Sequence, residues 1–129
     1  MKQIQWFPGH MAKARRQIEE KLPVIDIVYE LVDARIPLAS SNPMLLEIIH
    51  NKPRLILLNK VDLADPKVTK EWLDYYQAED LKAVETNSLT DNLQVKIYEI
   101  TKEILKTELE KEKVKGKSLR PLNAIVIGI

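Results

Sequence analysis

The chain has 129 residues, 45% of them apolar and 30% charged, with a formal net charge of +1 and no cysteine. That length allows one domain, burying roughly two-thirds of its unfolded surface. The composition excludes a disulfide framework, a thiolate metal site and a cysteine nucleophile, and no apolar run approaches the roughly 20 residues needed to cross a bilayer. The opening MKQIQWFPGH lacks the apolar core of a secretory signal, so the expected compartment is the cytoplasm. Charge is uneven along the chain. Lys2, Lys13, Arg15, Arg16 and Lys21 stand against Glu19 and Glu20; Lys106, Lys111, Lys113, Lys115, Lys117 and Arg120 stand against Glu108, Glu110 and Glu112. Two basic ends flanking a mildly acidic middle suit a phosphate-bearing partner or, equally, two solvated faces.

The Pro8-Gly9 turn and Pro23 bracket a first helix over about 10–22. DIVYELVDA (26–34), bounded by Pro23 and Pro37, reads as a largely buried strand. Ser41-Asn42-Pro43 offers a cap with proline at the first helical position, opening the short helix MLLEIIH, whose His50 suits a helix C-terminus. RLILL (54–58) is a second buried strand and runs directly into Asn59-Lys60-Val61-Asp62. Asp65-Pro66 repeats the cap signal and starts a helix through about Gln77, with Val68, Trp72 and Tyr75 or Tyr76 on its apolar face. KAVET (82–86) is a third strand, ending in Asn87-Ser88-Leu89. After a cap at Thr90 or Asp91, Leu93, Ile97, Ile100, Ile104 and Leu109 recur at helical steps. The charged run 107–118 then reads as a solvated helix end passing into a linker, and NAIVIGI (123–129) as a fourth buried strand.

Short strands alternating with helices predict an α/β fold with a parallel, doubly wound sheet and right-handed crossovers. Ligands in such sheets bind beyond the carboxyl ends of the strands. Asp33-Ala34-Arg35, the tetrad 59–62 and Asn87-Ser88 all leave from those ends and should share one rim.

The tetrad has the chemistry of a guanine reader. Guanine offers two adjacent donors, N1–H and the 2-amino group, which one fixed carboxylate, Asp62, can accept together. Adenine lacks that pair, and a site built on a specific hydrogen-bond partner rejects analogues without it by about 10⁴ or more. Asn59 can bridge base and loops, and the methylene stem of Lys60 can lie across the ring. The bland alternative is a polar turn after a strand. One strand-helix unit later, Ser88 followed by the Leu89 N–H can hold the base oxygen, although serine and asparagine are common in any turn.

WFPGHMAKA (6–14), VDARIP (32–37), LNKVDL (58–63) and NSL (87–89) together resemble the circularly permuted Ras-like GTPases of large-ribosomal-subunit assembly, and the resemblance covers the whole chain. It implies a P-loop GTPase-like sheet with permuted strand order, in which the base-reading motifs precede the phosphate loop and IVIGI leads into it. It implies that Asn59, Lys60 and Asp62 bind guanine, and that Ser88 and the Leu89 amide face the base oxygen. His10 is implied as the residue orienting the attacking water, a role neutral imidazole can perform; capping the first helix or touching RNA are its other readings. GTP or GDP with Mg²⁺ are the implied ligands, the metal's own ligands lying outside this chain. The large ribosomal subunit and its RNA are the implied partners, with no membrane and no DNA. The departures are that no G-x-x-x-x-G-K-[ST], D-x-x-G or switch threonine is present, nor the family's C-terminal RNA-binding helical domain. Thr90-Asp91-Asn92 also stands where relatives often carry a glycine. The chain is therefore expected to be an N-terminal piece with an incomplete sheet: a basic arm and helix over 1–22 and a partial GTPase domain over 23–129.

Two other readings stay open. A non-catalytic RNA-binding assembly module would use the two basic ends, with Trp6 and Phe7 stacking on bases or docking the arm. A phospho-signalling receiver needs more converging carboxylates than Asp33 and Asp62. Asp33 and Arg35 are expected to pair structurally. No His, Asp and Glu grouping has metal-ligand spacing.

Overall fold

The computed structural model describes residues 8–38, 43–49, 52–60, 63–86, 93–116 and 121–128, side chains being described from residue 12 onward except at 93 and 128. In chain order these form α1 (Pro8–Lys21), a 3₁₀ turn (Leu22–Val24), β1 (Ile27–Asp33), α2 (Pro43–Ile49), β2 (Arg54–Asn59) and α3 (Pro66–Ala78). β3 (Lys82–Glu85), α4 (Leu93–Ile104), α5 (Lys106–Val114) and β4 (Ala124–Gly128) complete them.

The strands form one parallel sheet in the order β3-β2-β1-β4, as the alternation of elements predicts. The order explains the layers. Passing from β1 to β2 to β3 moves one way across the sheet, and right-handed crossovers put α2 and α3 on the same face. The step from β3 back to β4 reverses direction, so its crossover must cover the opposite face. The packing agrees. Val28 packs with Leu45 and Ile49 of α2, and Val32, Ile56 and Leu58 pack under Tyr76 and Trp72 of α3. Ile27, Leu55, Leu57 and Val84, of the other strand parity, meet Ile97, Ile100, Ile104 and Leu105. Ile18 of α1 and Leu22 join the α2 cluster.

Local signals account for the boundaries. Asp65 caps α3, accepting the Lys67 N–H at 2.9 Å, with Pro66 at the first helical turn. The cap residues expected at 41–42 and 90–91, and His50, lie outside the described residues.

The structure corrects the sequence reading in three places. Val68 is 39% exposed; the buried stripe of α3 runs through Thr69 and Tyr76, one residue round the helix. The long helix expected after β3 bends at Leu105, where α4 passes to α5, although the i→i−4 hydrogen bonds Leu105 N–H to Thr101 O (3.0 Å) and Leu109 N–H to Leu105 O (2.9 Å) run across the bend. β4 is buried on one face only among the described residues: Ile127 is buried, but Val126 on the other face is 64% exposed.

Candidate functional site

Parallel register brings the strand ends together. Asp33 of β1 stands opposite Asn59 of β2, Leu58 stands opposite Glu85, and Gly128 of β4 stands opposite Leu31. The Ala34 N–H continues the ladder by donating to the Asn59 carbonyl at 2.8 Å. Asp33, Arg35, Asn59 and Lys60 therefore share the carboxyl rim, as the positions of the first two polar segments predict, with Thr86 beside them; Asn87-Ser88 lie outside the described residues.

Asp33 is the anchor of that rim. Its Oδ1 accepts the Arg35 backbone N–H at 2.9 Å and Arg35 Nε at 3.0 Å, while Oδ2 accepts Arg35 Nη2 at 2.7 Å. This fork-to-fork grip is the strong form of an arginine–carboxylate pair. The hydrogen bonds from Arg35 hold the Asp33 carboxyl well below the usual carboxylate range, outweighing its burial, with Lys60 adding a smaller pull in the same direction. Lys60 Nζ stands 3.6 Å from the same Oδ2.

Lys60 has φ +62°, the left-handed region, at a cost of roughly 1–2 kcal/mol for a residue with a Cβ. Strain of this kind persists where surrounding contacts fix it and gathers at functional sites. Here the Leu63 N–H donates to the Lys60 carbonyl at 2.9 Å.

On the other side, Thr86 follows β3 and is buried. Its amide donates to the Leu58 carbonyl at 2.8 Å, and its hydroxyl lies 3.1 Å from that carbonyl and 3.5 Å from Asn59 Oδ1. The Thr86 hydroxyl has one proton, which the shorter contact to the Leu58 carbonyl takes, so the 3.5 Å approach brings the Asn59 side chain beside the end of β3 without binding it tightly. Thr86 is a rim residue that the sequence reading missed; its signal was a β-branched hydroxyl closing the strand one unit after the tetrad.

Of the predicted site residues, Asn59 and Lys60 are brought together on the rim. Asp62, Ser88 and Leu89 lie outside the described residues, and His10 lies in the first turn of α1 with its side chain undescribed. Among the described residues there is no group of three or more His, Cys, Asp or Glu placed to hold a metal ion. No described helix is long and apolar enough to cross a membrane.

A parallel sheet wound on both faces, with its polar segments at the carboxyl ends of buried strands, defines the class: a doubly wound α/β fold. Comparison with known proteins narrows it. No protein-family model matches the chain. Over 127 residues it is 54% identical to ribosome biogenesis GTPase A of Priestia megaterium, covering 98% of this chain and 44% of that protein. Over 87 residues it is 41% identical to mitochondrial ribosome-associated GTPase 1 of Bos taurus, covering 67% of this chain and 26% of that one. The structure of GNP-bound YlqF from T. maritima superposes with a TM-score of 0.64 at 28% identity, over 91% of this chain and 42% of that one. The chain belongs to the family of ribosome biogenesis GTPase A, the circularly permuted GTPases, and spans about 44% of the length of the curated relatives it matches.

Proposed function

We propose that the complete protein is a GTP-binding and GTP-hydrolysing switch assisting assembly of the large ribosomal subunit, and that these residues supply its guanine-recognition half. The observation that carries the reading is the rim geometry at the end of β2, where Asn59 and Lys60 stand beside the carboxyl ends of β1 and β3, with the Thr86 hydroxyl 3.5 Å from Asn59 Oδ1. The relatives' names and the GNP- and GDP-bound YlqF structures support it.

In this reading Asp62 accepts the guanine N1–H and 2-amino donors, and Asn59 donates at the base edge. Lys60 lays its stem on the ring, and Ser88 with the Leu89 N–H holds the base oxygen. Charge-assisted bonds of this kind are worth about 1.5–3 kcal/mol each, so the base contacts alone sustain at best millimolar binding after ordering costs. Tight binding needs the phosphate loop and Mg²⁺, which supply charge neutralisation for phosphoryl transfer. No G-x-x-x-x-G-K-[ST] occurs in these residues, so a polypeptide of this sequence alone is expected not to hydrolyse GTP. His10 is proposed to orient the attacking water. The arm and helix over 1–22, together with the basic run after residue 106, are proposed to meet ribosomal RNA, in the cytoplasm. The remainder, 23–129, is proposed as part of the GTPase domain.

The test is a titration of the complete protein with GDP and with ADP, before and after Asp62→Ala. Strong preference for GDP that disappears on substitution is the expected result. Equal binding of the two nucleotides by the unmodified protein would defeat the proposal.

A further inference from the structure

Resting on the guanine reading above, we propose that Asp33 is a positioning residue of the same site, its carboxylate holding Lys60 so that the lysine stem can lie across the base. Three observations meet here. Asp33 is almost fully buried, 6% exposed, yet one of its oxygens faces two cations, Arg35 Nη2 at 2.7 Å and Lys60 Nζ at 3.6 Å. The bidentate grip of Arg35 fixes the carboxylate in one orientation, and that orientation is the one in which Oδ2 faces Lys60. The strand that carries Asp33 also holds the preceding tetrad residue, through the Asp33–Asn59 register and the Ala34 N–H on the Asn59 carbonyl.

The physical need for such a tether is plain. The Lys60 side chain is 51% exposed and rooted in a left-handed backbone position. A lysine stem has large rotamer freedom, and stacking it on a base requires giving that freedom up. A fixed anion at the rim restricts the ammonium before the base arrives, which lowers the ordering cost of binding. The order of influence is Arg35 on Asp33, Asp33 on Lys60, Lys60 on the base. In this proposal Asp33 acts through Lys60 and not on the purine edge, so it should set affinity and leave discrimination between purines to Asp62.

A double-mutant cycle in the complete protein tests this, reading dissociation constants for GDP and for inosine diphosphate, which lacks the 2-amino group. Asp33→Asn and Lys60→Met (which keeps the stem and removes the ammonium) should each weaken GDP binding about 3- to 5-fold, the range of a partly exposed ion pair. The double variant should bind no more weakly than the weaker single one, because both remove the same interaction. The ratio of GDP to inosine diphosphate affinity should stay constant throughout, which a general loosening of the rim would not allow. Multiplying losses in the double variant would overturn the proposal. So would unchanged GDP affinity in Lys60→Met, a result obtainable even if Asp33→Asn fails to fold. If the unmodified protein shows no preference for GDP over ADP, the guanine reading itself fails, an outcome separate from either of these.

Discussion

Replacing Thr86 with valine removes one hydroxyl from the rim while keeping its volume and β-branched shape. The hydroxyl is buried and lies 3.1 Å from the Leu58 carbonyl and 3.5 Å from Asn59 Oδ1. Leu58 O keeps the Thr86 amide N–H at 2.8 Å, so no buried acceptor is orphaned, and the loss is that of one ordinary neutral hydrogen bond. Such a bond is worth about 0.5–1.5 kcal/mol net. For a domain of this size that is a fall in Tm of about 2–6 °C, measurable by calorimetry or circular dichroism. The second consequence is functional. The contact to Asn59 is long, so it orients the amide more than it binds it, and its loss should weaken GDP binding by the complete protein about 2- to 5-fold, or up to about 1 kcal/mol. An unchanged Tm would show that the hydroxyl is not bonded as described. A lowered Tm with unchanged GDP affinity would make Thr86 purely structural and remove the link from β3 to the tetrad.

Other substitutions probe the frame that carries the rim. Asp65→Ala deletes the α3 cap bond to the Lys67 N–H and should cost about 1 kcal/mol in urea unfolding. Leu105→Ala, at a position 3% exposed in the cluster under α4, should cost about 2–4 kcal/mol with the denaturant slope unchanged. Because the folded-state Asp33 carboxyl titrates below its unfolded value of about 4, its stabilisation is complete above that pH and is lost as pH falls below it. Asp33→Asn should therefore flatten the acid limb of the stability profile. Burial, reinforced by the nearby Glu30 and Tyr75, pushes the Tyr76 hydroxyl up to about 12. Unfolding then releases its proton more readily above the ordinary value of about 10, so stability should fall between that pH and the folded value, and Tyr76→Phe should remove this alkaline loss.

Much of the frame was readable from the residues because the punctuation was strong. Asp65-Pro66 marks a helix start through a cap bond and a proline φ, and RLILL running into Asn59 marks a buried strand ending at a rim. Asp33 and Arg35 pair as expected, since two residues apart at a strand end their charges can close on each other. What was not readable depends on tertiary position. Val68-Trp72-Tyr75 and Thr69-Leu73-Tyr76 are both helical stripes, one residue or about 100° apart, and aromatic residues span both; only the sheet beneath decides that Thr69 faces inward. An apolar run such as AIVIG has the same composition whether one face or both are covered, so the exposure of Val126 beside the buried Ile127 could not be read from it. The five-residue step from Ile104 to Leu109, where three or four is regular, coincides with the bend at Leu105. The role of Thr86 was hidden because its partner, Asn59, lies 27 residues away in sequence and next to it only through strand pairing.

The most direct measurement is a structure of the complete protein with GDP bound, read at one side chain. Both Asp62 oxygens should lie within about 3.2 Å of the guanine N1 and 2-amino nitrogens, with the Lys60 stem against the ring. A nucleotide seated elsewhere, or an Asp62 carboxylate directed away from the purine edge, would contradict the assignment of this rim to guanine.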